Sequence, residues 1–151
     1  MKLNEKKIVI TSAVRTAVGE FGGSLKKMQG HDLGSTVVKE AIKKSKLKPN
    51  DVDELIMGQV LTGAAGQNPA RQAAIQAGLP IDKTAYVINQ VCGSGLRSVA
   101  AGYQAIMSND SQIIIAGGQE SMSNAPHAIN FRGENKLIKS KLVDTMIKDG
   151  L

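Results

Sequence analysis

Between Lys7 and Gly118, short β-branched runs alternate with longer segments of helical periodicity, and this alternation limits the possible folds more than any other feature. Residues 7–13 (Lys-Ile-Val-Ile-Thr-Ser-Ala) have the length and composition of a buried strand. A glycine-bearing loop follows, Gly19 to Gly23. Residues 32–46 then place Leu33, Val37, Val38, Ala41 and Ile42 on one helical face, with Asp32 as N-cap and Pro49 as the stop. A second strand is expected across 53–61, around Leu55-Ile56-Met57. After a loop at 63–68, Pro69 opens a short helix capped by Asn68 that runs to Gly78. Residues 84–91 read as a third strand and 93–107 as a helix with apolar positions at Leu96, Val99, Ala100, Tyr103, Ile106 and Met107. A fourth strand at 112–116 ends on Gly117-Gly118.

Alternation four strands deep implies an α/β fold, with a mostly parallel sheet in the order βαβαβαβ and helices on both faces. Beyond Ser121 the pattern breaks. Residues 119–135 read as an extended loop, and 136–148 carry only weak helical periodicity through Leu137, Leu142 and Met146. The expected division is an α/β domain over 1–120, itself incomplete, followed by the beginning of a loop region over 121–151.

Composition narrows the function classes. Two Phe, two Tyr and no Trp leave an aliphatic core and few stacking platforms, which argues against single-stranded nucleic acid as a partner. The net charge of +6 comes from lysines spread along the chain, so a solvated surface explains it as simply as steering of a polyanion does. A single cysteine forms no internal disulfide and no cysteine-rich zinc cluster, so no metal site is expected. No apolar run approaches the ~20 residues of a membrane span, and Met1 to Lys7 leads straight into the first β-like run without a signal-type segment. The expectation is a cytoplasmic chain in a reducing compartment, without membrane or nucleic-acid partners.

The chemistry concentrates in Val87-Ile88-Asn89-Gln90-Val91-Cys92-Gly93-Ser94-Gly95-Leu96, which sets the only cysteine between a strand and a helix. The unpaired N–H groups and positive end of that helix favour an anion at its mouth, so Cys92 is expected to have a lowered pKa and to react as a thiolate. Gly93 and Gly95 suit a strained turn and leave room for a substrate. The Cys92 N–H offers one oxyanion donor. A lone cysteine is more often an inert buried hydrophobe, but the Cys-Gly-Ser-Gly junction reverses that reading. A dinucleotide loop fails because Ser98 stands where the third glycine belongs and Asp110 precedes the following strand.

The string from Asn89 to Leu96 resembles the nucleophile motif of the thiolase family. Ser12-Ala13-Val14-Arg15-Thr16 with Phe21-Gly22-Gly23, Gly66-Gln67-Asn68-Pro69-Ala70-Arg71-Gln72 and Ala116-Gly117-Gly118-Gln119-Glu120-Ser121-Met122-Ser123 resemble further signatures in the same order. Arg132-Gly133 and the stretch from Asp144 to Leu151 extend the likeness to the last residue.

The resemblance implies an acyltransferase that condenses two acetyl-CoA to acetoacetyl-CoA and coenzyme A, reversibly, through an acetyl-cysteine on Cys92. Coenzyme A thioesters are then substrates and no cofactor is needed. It implies a substrate-side role for Leu151, supporting roles for Gly93, Gly95 and Asn68, and a homodimer or homotetramer in the complete enzyme, built partly through the loop region. A degradative 3-ketoacyl-CoA thiolase and a non-catalytic remnant of the fold are the alternatives. The family's G-H-P histidine, N-E-A-F asparagine and second C-x-G cysteine do not occur in these 151 residues; His31 and His127 lie in other contexts. The chain therefore reads as an N-terminal part, catalytically very weak by itself.

Overall fold

The computed structural model describes residues 7–130 and 141–151. Its centre is a parallel three-stranded sheet of β1 (Glu54–Gly58), β2 (Thr84–Ile88) and β3 (Ile114–Gly118), in the order β2-β1-β3. Glu54 pairs with Thr84 on one side and Ile114 on the other, and the register holds through Gly58, Ile88 and Gly118. Three helices frame it: α1 (Gly30–Lys44), α2 (Pro69–Ala77) and α3 (Ser94–Ser108).

Strand parity assigns the helices to opposite faces. Leu55 and Met57 on β1, with Ala85, Val87, Ile113 and Ile115 beside them, join one apolar cluster with Val38 and Ile42 of α1 and Ala70, Ala73, Ala74 and Ala77 of α2. The alternate residues look the other way. Gly58 meets the backbone of Ser94, and Ile114 and Ala116 meet Gly102, so this second face belongs to α3. A central strand covered on both faces has to be apolar at every position, and Leu55, Ile56 and Met57 are all buried.

The α/β class and parallel sheet match the expectation from sequence, but the strand number does not. Residues 7–13 form no strand. Val9 and Ile10 are exposed, and the segment is held beside α1 through Thr11 Oγ1 to Ser45 Oγ (3.1 Å) and Ser12 Oγ donating to Ala41 O (3.1 Å). No described strand lies alongside to pair with it, and β-branched composition alone does not supply a ladder. Helix α1 begins two residues earlier than expected. Asp32 is not its N-cap; it stands one turn in and accepts from the N–H of Gln29 (2.9 Å), the reciprocal half of a capping box.

Helix α3 is turned over relative to its apolar pattern. Ser94, Ser98 and Gly102, four apart, face the sheet, while Leu96, Val99, Tyr103 and Met107 are exposed. The glycine-bearing strands bring the helix so close that only small residues fit between them. After β3 come a 3-10 turn at Met122–Asn124, a two-residue ladder of β4 (His127–Ala128) with β5 (Val143–Asp144), and the single turn α4 (Thr145–Lys148). Of the span 136–148 the structure describes 141–148, which hold β5 and this turn. Arg132-Gly133 and Leu137 lie outside the described residues. Among the described residues no helix is long and apolar enough to cross a membrane.

Candidate active site

β2 leads directly into the turn that carries Cys92. The chain leaves the strand at Ile88 and reverses over Asn89 to Gly93. It enters α3 at Ser94, two residues after the cysteine. Gly93 donates to Gln90 O (3.0 Å) and Ser94 N–H to Val91 O (3.1 Å), so the reversal is hydrogen-bonded along its length. Cys92 is exposed at this point, the only cysteine of the chain.

The strain in the turn does not fall on glycine. Gly93 has an ordinary right-handed conformation, while Val91 has φ 50°. A β-branched residue in the left-handed region is a genuine outlier, and such residues persist only when their surroundings hold them. Asn89 Oδ1 accepts from the Val91 N–H (3.0 Å), and the buried Ser94 hydroxyl donates to Val91 O (2.6 Å) while accepting from the Gln90 N–H (2.8 Å). Gly95 serves close approach: its Cα and N lie 3.4 and 3.9 Å from the position a Cβ on Gly118 would take. Gly58 completes the contact from β1.

Asn68 caps α2 as expected. It adopts φ 43° and accepts from the Arg71 N–H (3.1 Å), and its Nδ2 donates to Ala85 O (2.8 Å), which ties the cap to β2. It also lines a cavity of about 380 Å³ with Gln59, Thr62, Gly66, Pro69, Val87 and Asn89. Cys92 is not among the lining residues; Asn89 is the lining residue that belongs to the turn carrying it. Leu151 closes the last turn through its N–H to Met146 O (3.1 Å) and is half-buried, with no place in that cavity. Arg71 is held within the chain. Its guanidinium donates to the carbonyls of Ile81 (2.7 Å) and Lys83 and fixes the loop before β2.

The stretch after β3 holds residues whose roles sequence reasoning missed. Gln119 Nε2 donates to Gln59 Oε1 (2.8 Å), both side chains being buried. The Glu120 carboxylate accepts from the N–H groups of Val60 (2.8 Å) and Leu61 (3.2 Å); burial raises its pKa, and those two bonds oppose the shift. Ser121 Oγ and Asn124 Nδ2 both donate to Met28 O (2.8 Å each), and Ser123 Oγ accepts from Gly22 N (2.9 Å). These polar side chains thus tie the segments that follow β1 and β3 to each other and to the loop at 20–28 that leads into α1. The density of short polar side chains after a Gly-Gly pair was the available signal. Met122 is exposed. His31 lies in the first turn of α1, with Nε2 3.8 Å from Asp32, and His127 is on β4, 3.6 Å from Asp144. Neither has a recorded contact with Cys92.

The family description "Thiolase, N-terminal domain" matches residues 8–151, and the chain belongs to the thiolase family. Among relatives, it is 52% identical over 149 residues to an acetyl-CoA acetyltransferase of Rhizobium meliloti (strain 1021), covering 99% of this chain and 38% of that protein. The acetyl-CoA acetyltransferase of Cupriavidus necator is 56% identical over 145 residues, covering 95% and 37%. The cytosolic acetyl-CoA acetyltransferase of Rattus norvegicus is 44% identical over 151 residues, covering 100% and 38%. The crystal structure of Acat5 thiolase from Ascaris suum in complex with coenzyme A superposes with a TM-score of 0.89 at 42% identity, covering 94% of this chain and 37% of that one. The chain therefore spans little more than a third of the length of these relatives.

Proposed function

We propose that this chain carries the nucleophile part of a thiolase that condenses two acetyl-CoA to acetoacetyl-CoA. The observation that carries the reading is the exposed Cys92 on its hydrogen-bonded turn, two residues before α3. In the first half-reaction the Cys92 sulfur attacks the thioester carbonyl of acetyl-CoA. The oxyanion forms near the start of α3, where the helix dipole opposes its charge, the Cys92 N–H serving as one donor. Coenzyme A departs as its thiolate and leaves acetyl-Cys92. In the second half-reaction the enolate of another acetyl-CoA attacks the acetyl carbon and Cys92 sulfur departs. Sulfur suits both steps because it is a strong nucleophile and a good leaving group.

Enolate formation needs a base and an acid that the family places in motifs outside these residues. The family's G-H-P histidine, which the resemblance implies activates the nucleophile, is also absent from these residues, so acetylation of Cys92 in the 151-residue chain is expected to be slow and turnover very weak. The names of the bacterial and rat relatives support acetyl-CoA over longer acyl chains. A cytoplasmic setting and a homodimer or homotetramer for the complete enzyme belong to the same proposal. Leu151 keeps its substrate-side assignment, to be scored by the coenzyme A affinity of Leu151→Ala.

Intact mass after incubation with acetyl-CoA tests the reading. One acetyl group on the wild-type chain and none on Cys92→Ala is the expected result. A folded wild-type chain that gains none would leave the non-catalytic reading in its place.

A further inference from the structure

We infer that the Ser94 hydroxyl is a positioning residue for Cys92, acting by holding Val91 in the left-handed conformation that orients the cysteine. The inference rests on the reading of Cys92 as the acyl acceptor and goes beyond it by naming what aims the sulfur. Ser94 is 4% exposed and its side chain points back into the turn instead of outward from the helix. Its oxygen accepts from Gln90 N–H (2.8 Å) and its proton goes to Val91 O (2.6 Å), so one hydroxyl pins the peptide groups on both sides of Val91's N-terminal link. Asn89 Oδ1 holds the Val91 N–H (3.0 Å), leaving Val91 bonded at both its N–H and its carbonyl.

The geometry requires such a hold. At φ 50° a valine side chain collides with its own backbone, and the turn would relax toward an ordinary conformation if released. Cys92 is the next residue, so a change in the Val91 dihedrals swings the thiol relative to the helix start. Serine is also the size the site accepts. A Cβ on Gly58 would come within 2.7 Å of Ser94 Cβ, so β1 presses against this residue and leaves no room for a larger side chain.

Single-turnover acetylation of the 151-residue chain by acetyl-CoA, followed by intact mass, tests the inference. Ser94→Ala is expected to lower the saturating rate by about 10- to 100-fold, the scale of an ångström misplacement of a reacting group. The acetyl-CoA concentration giving half the saturating rate should stay unchanged, which a merely loosened fold would not produce. Val91→Gly in the Ser94→Ala background is expected to restore most of the rate, because glycine takes a positive φ without strain. The double variant also decides the case in which Ser94→Ala does not fold. Acetylation of Ser94→Ala at the wild-type rate overturns the inference while leaving the reading of Cys92 intact. So does a double variant that is no faster than Ser94→Ala. A wild-type chain that takes up no acetyl group overturns both.

Discussion

Replacing Gly58 with alanine drives a methyl group into the start of α3. The added Cβ would lie 2.4 Å from the carbonyl carbon of Ser94, 2.5 Å from Gly95 N and 2.7 Å from Ser94 Cβ. Carbon contacts are comfortable at about 3.5–4.0 Å, so strand and helix must part by roughly an ångström. Two of the three colliding atoms are backbone, and no rotamer change relieves them. Forced overpacking of this kind costs about 1–3 kcal/mol, occasionally more, and the backbone clash puts Gly58→Ala at the upper end, ~3 kcal/mol. The displaced helix start is also what positions Cys92, and a shift of that size lowers the rate of a positioned reaction by about 100-fold. Urea unfolding measures the first effect and single-turnover acetylation the second. Gly78→Ala is the control. It sits at φ 90° with nothing within 4 Å of the added methyl, so it loses stability through its dihedral alone and leaves acetylation untouched. A Gly58→Ala chain as stable as wild type, with Cys92 acetylated at the wild-type rate, would refute the argument that glycine is there for close approach.

Ser98→Ala removes a fully buried hydroxyl lying 2.6 Å from Gly95 O and 2.7 Å from Gly117 O, and should cost about 0.5–1.5 kcal/mol in urea unfolding through the lost hydrogen bonding. Asp53 accepts from Ile113 N–H (3.0 Å) and Gln112 N–H (2.8 Å), bonds that hold its carboxyl below its ordinary value of 3.8, with Lys83 adding to the shift. A depressed carboxyl stabilises the fold above pH 3.8 and stops doing so as pH falls through its folded value. Asp53→Ala should therefore be less stable than wild type at neutral pH, and the gap should close in acid. Glu120 has the opposite sign. Burial raises it above 4.5, so the folded state holds its proton more tightly than the unfolded chain. Wild-type stability should drop as pH rises from 4.5 through the folded value, and Glu120→Gln should flatten that stretch of the urea-midpoint profile.

The legible parts of this chain were those where local chemistry and tertiary demand agree. Leu55-Ile56-Met57 reads as a strand and is one, because a run apolar on both faces has few other uses. Asn68-Pro69 and the cysteine-glycine junction carry their own start signals, and both helices begin there. Where the outcome depends on a neighbour, sequence pattern gave the wrong answer. Residues 7–13 have strand composition, yet a strand exists only through its partner. The stripe from Leu96 to Met107 has perfect helical spacing, but periodicity does not say which side faces the sheet; the small residues Ser94, Ser98 and Gly102 decide that by fitting against Gly58, Gly118 and Ala116. In the nucleophile turn, glycine was the natural candidate for the strained position. Val91 takes it instead, because hydrogen bonds from Asn89 and Ser94 can hold a conformation that the residue would not choose.

The outward side of α3 has a consequence for handling the molecule. Leu96, Val99, Tyr103 and Met107 present a continuous oily ridge to water on the very helix that begins beside Cys92. Whatever settles on that ridge, whether detergent, a sister molecule or further polypeptide, sits on the helix that starts two residues after the Cys92 thiol. Measurements of thiol chemistry on this chain are therefore also measurements of its company, and protein concentration belongs among their controlled variables.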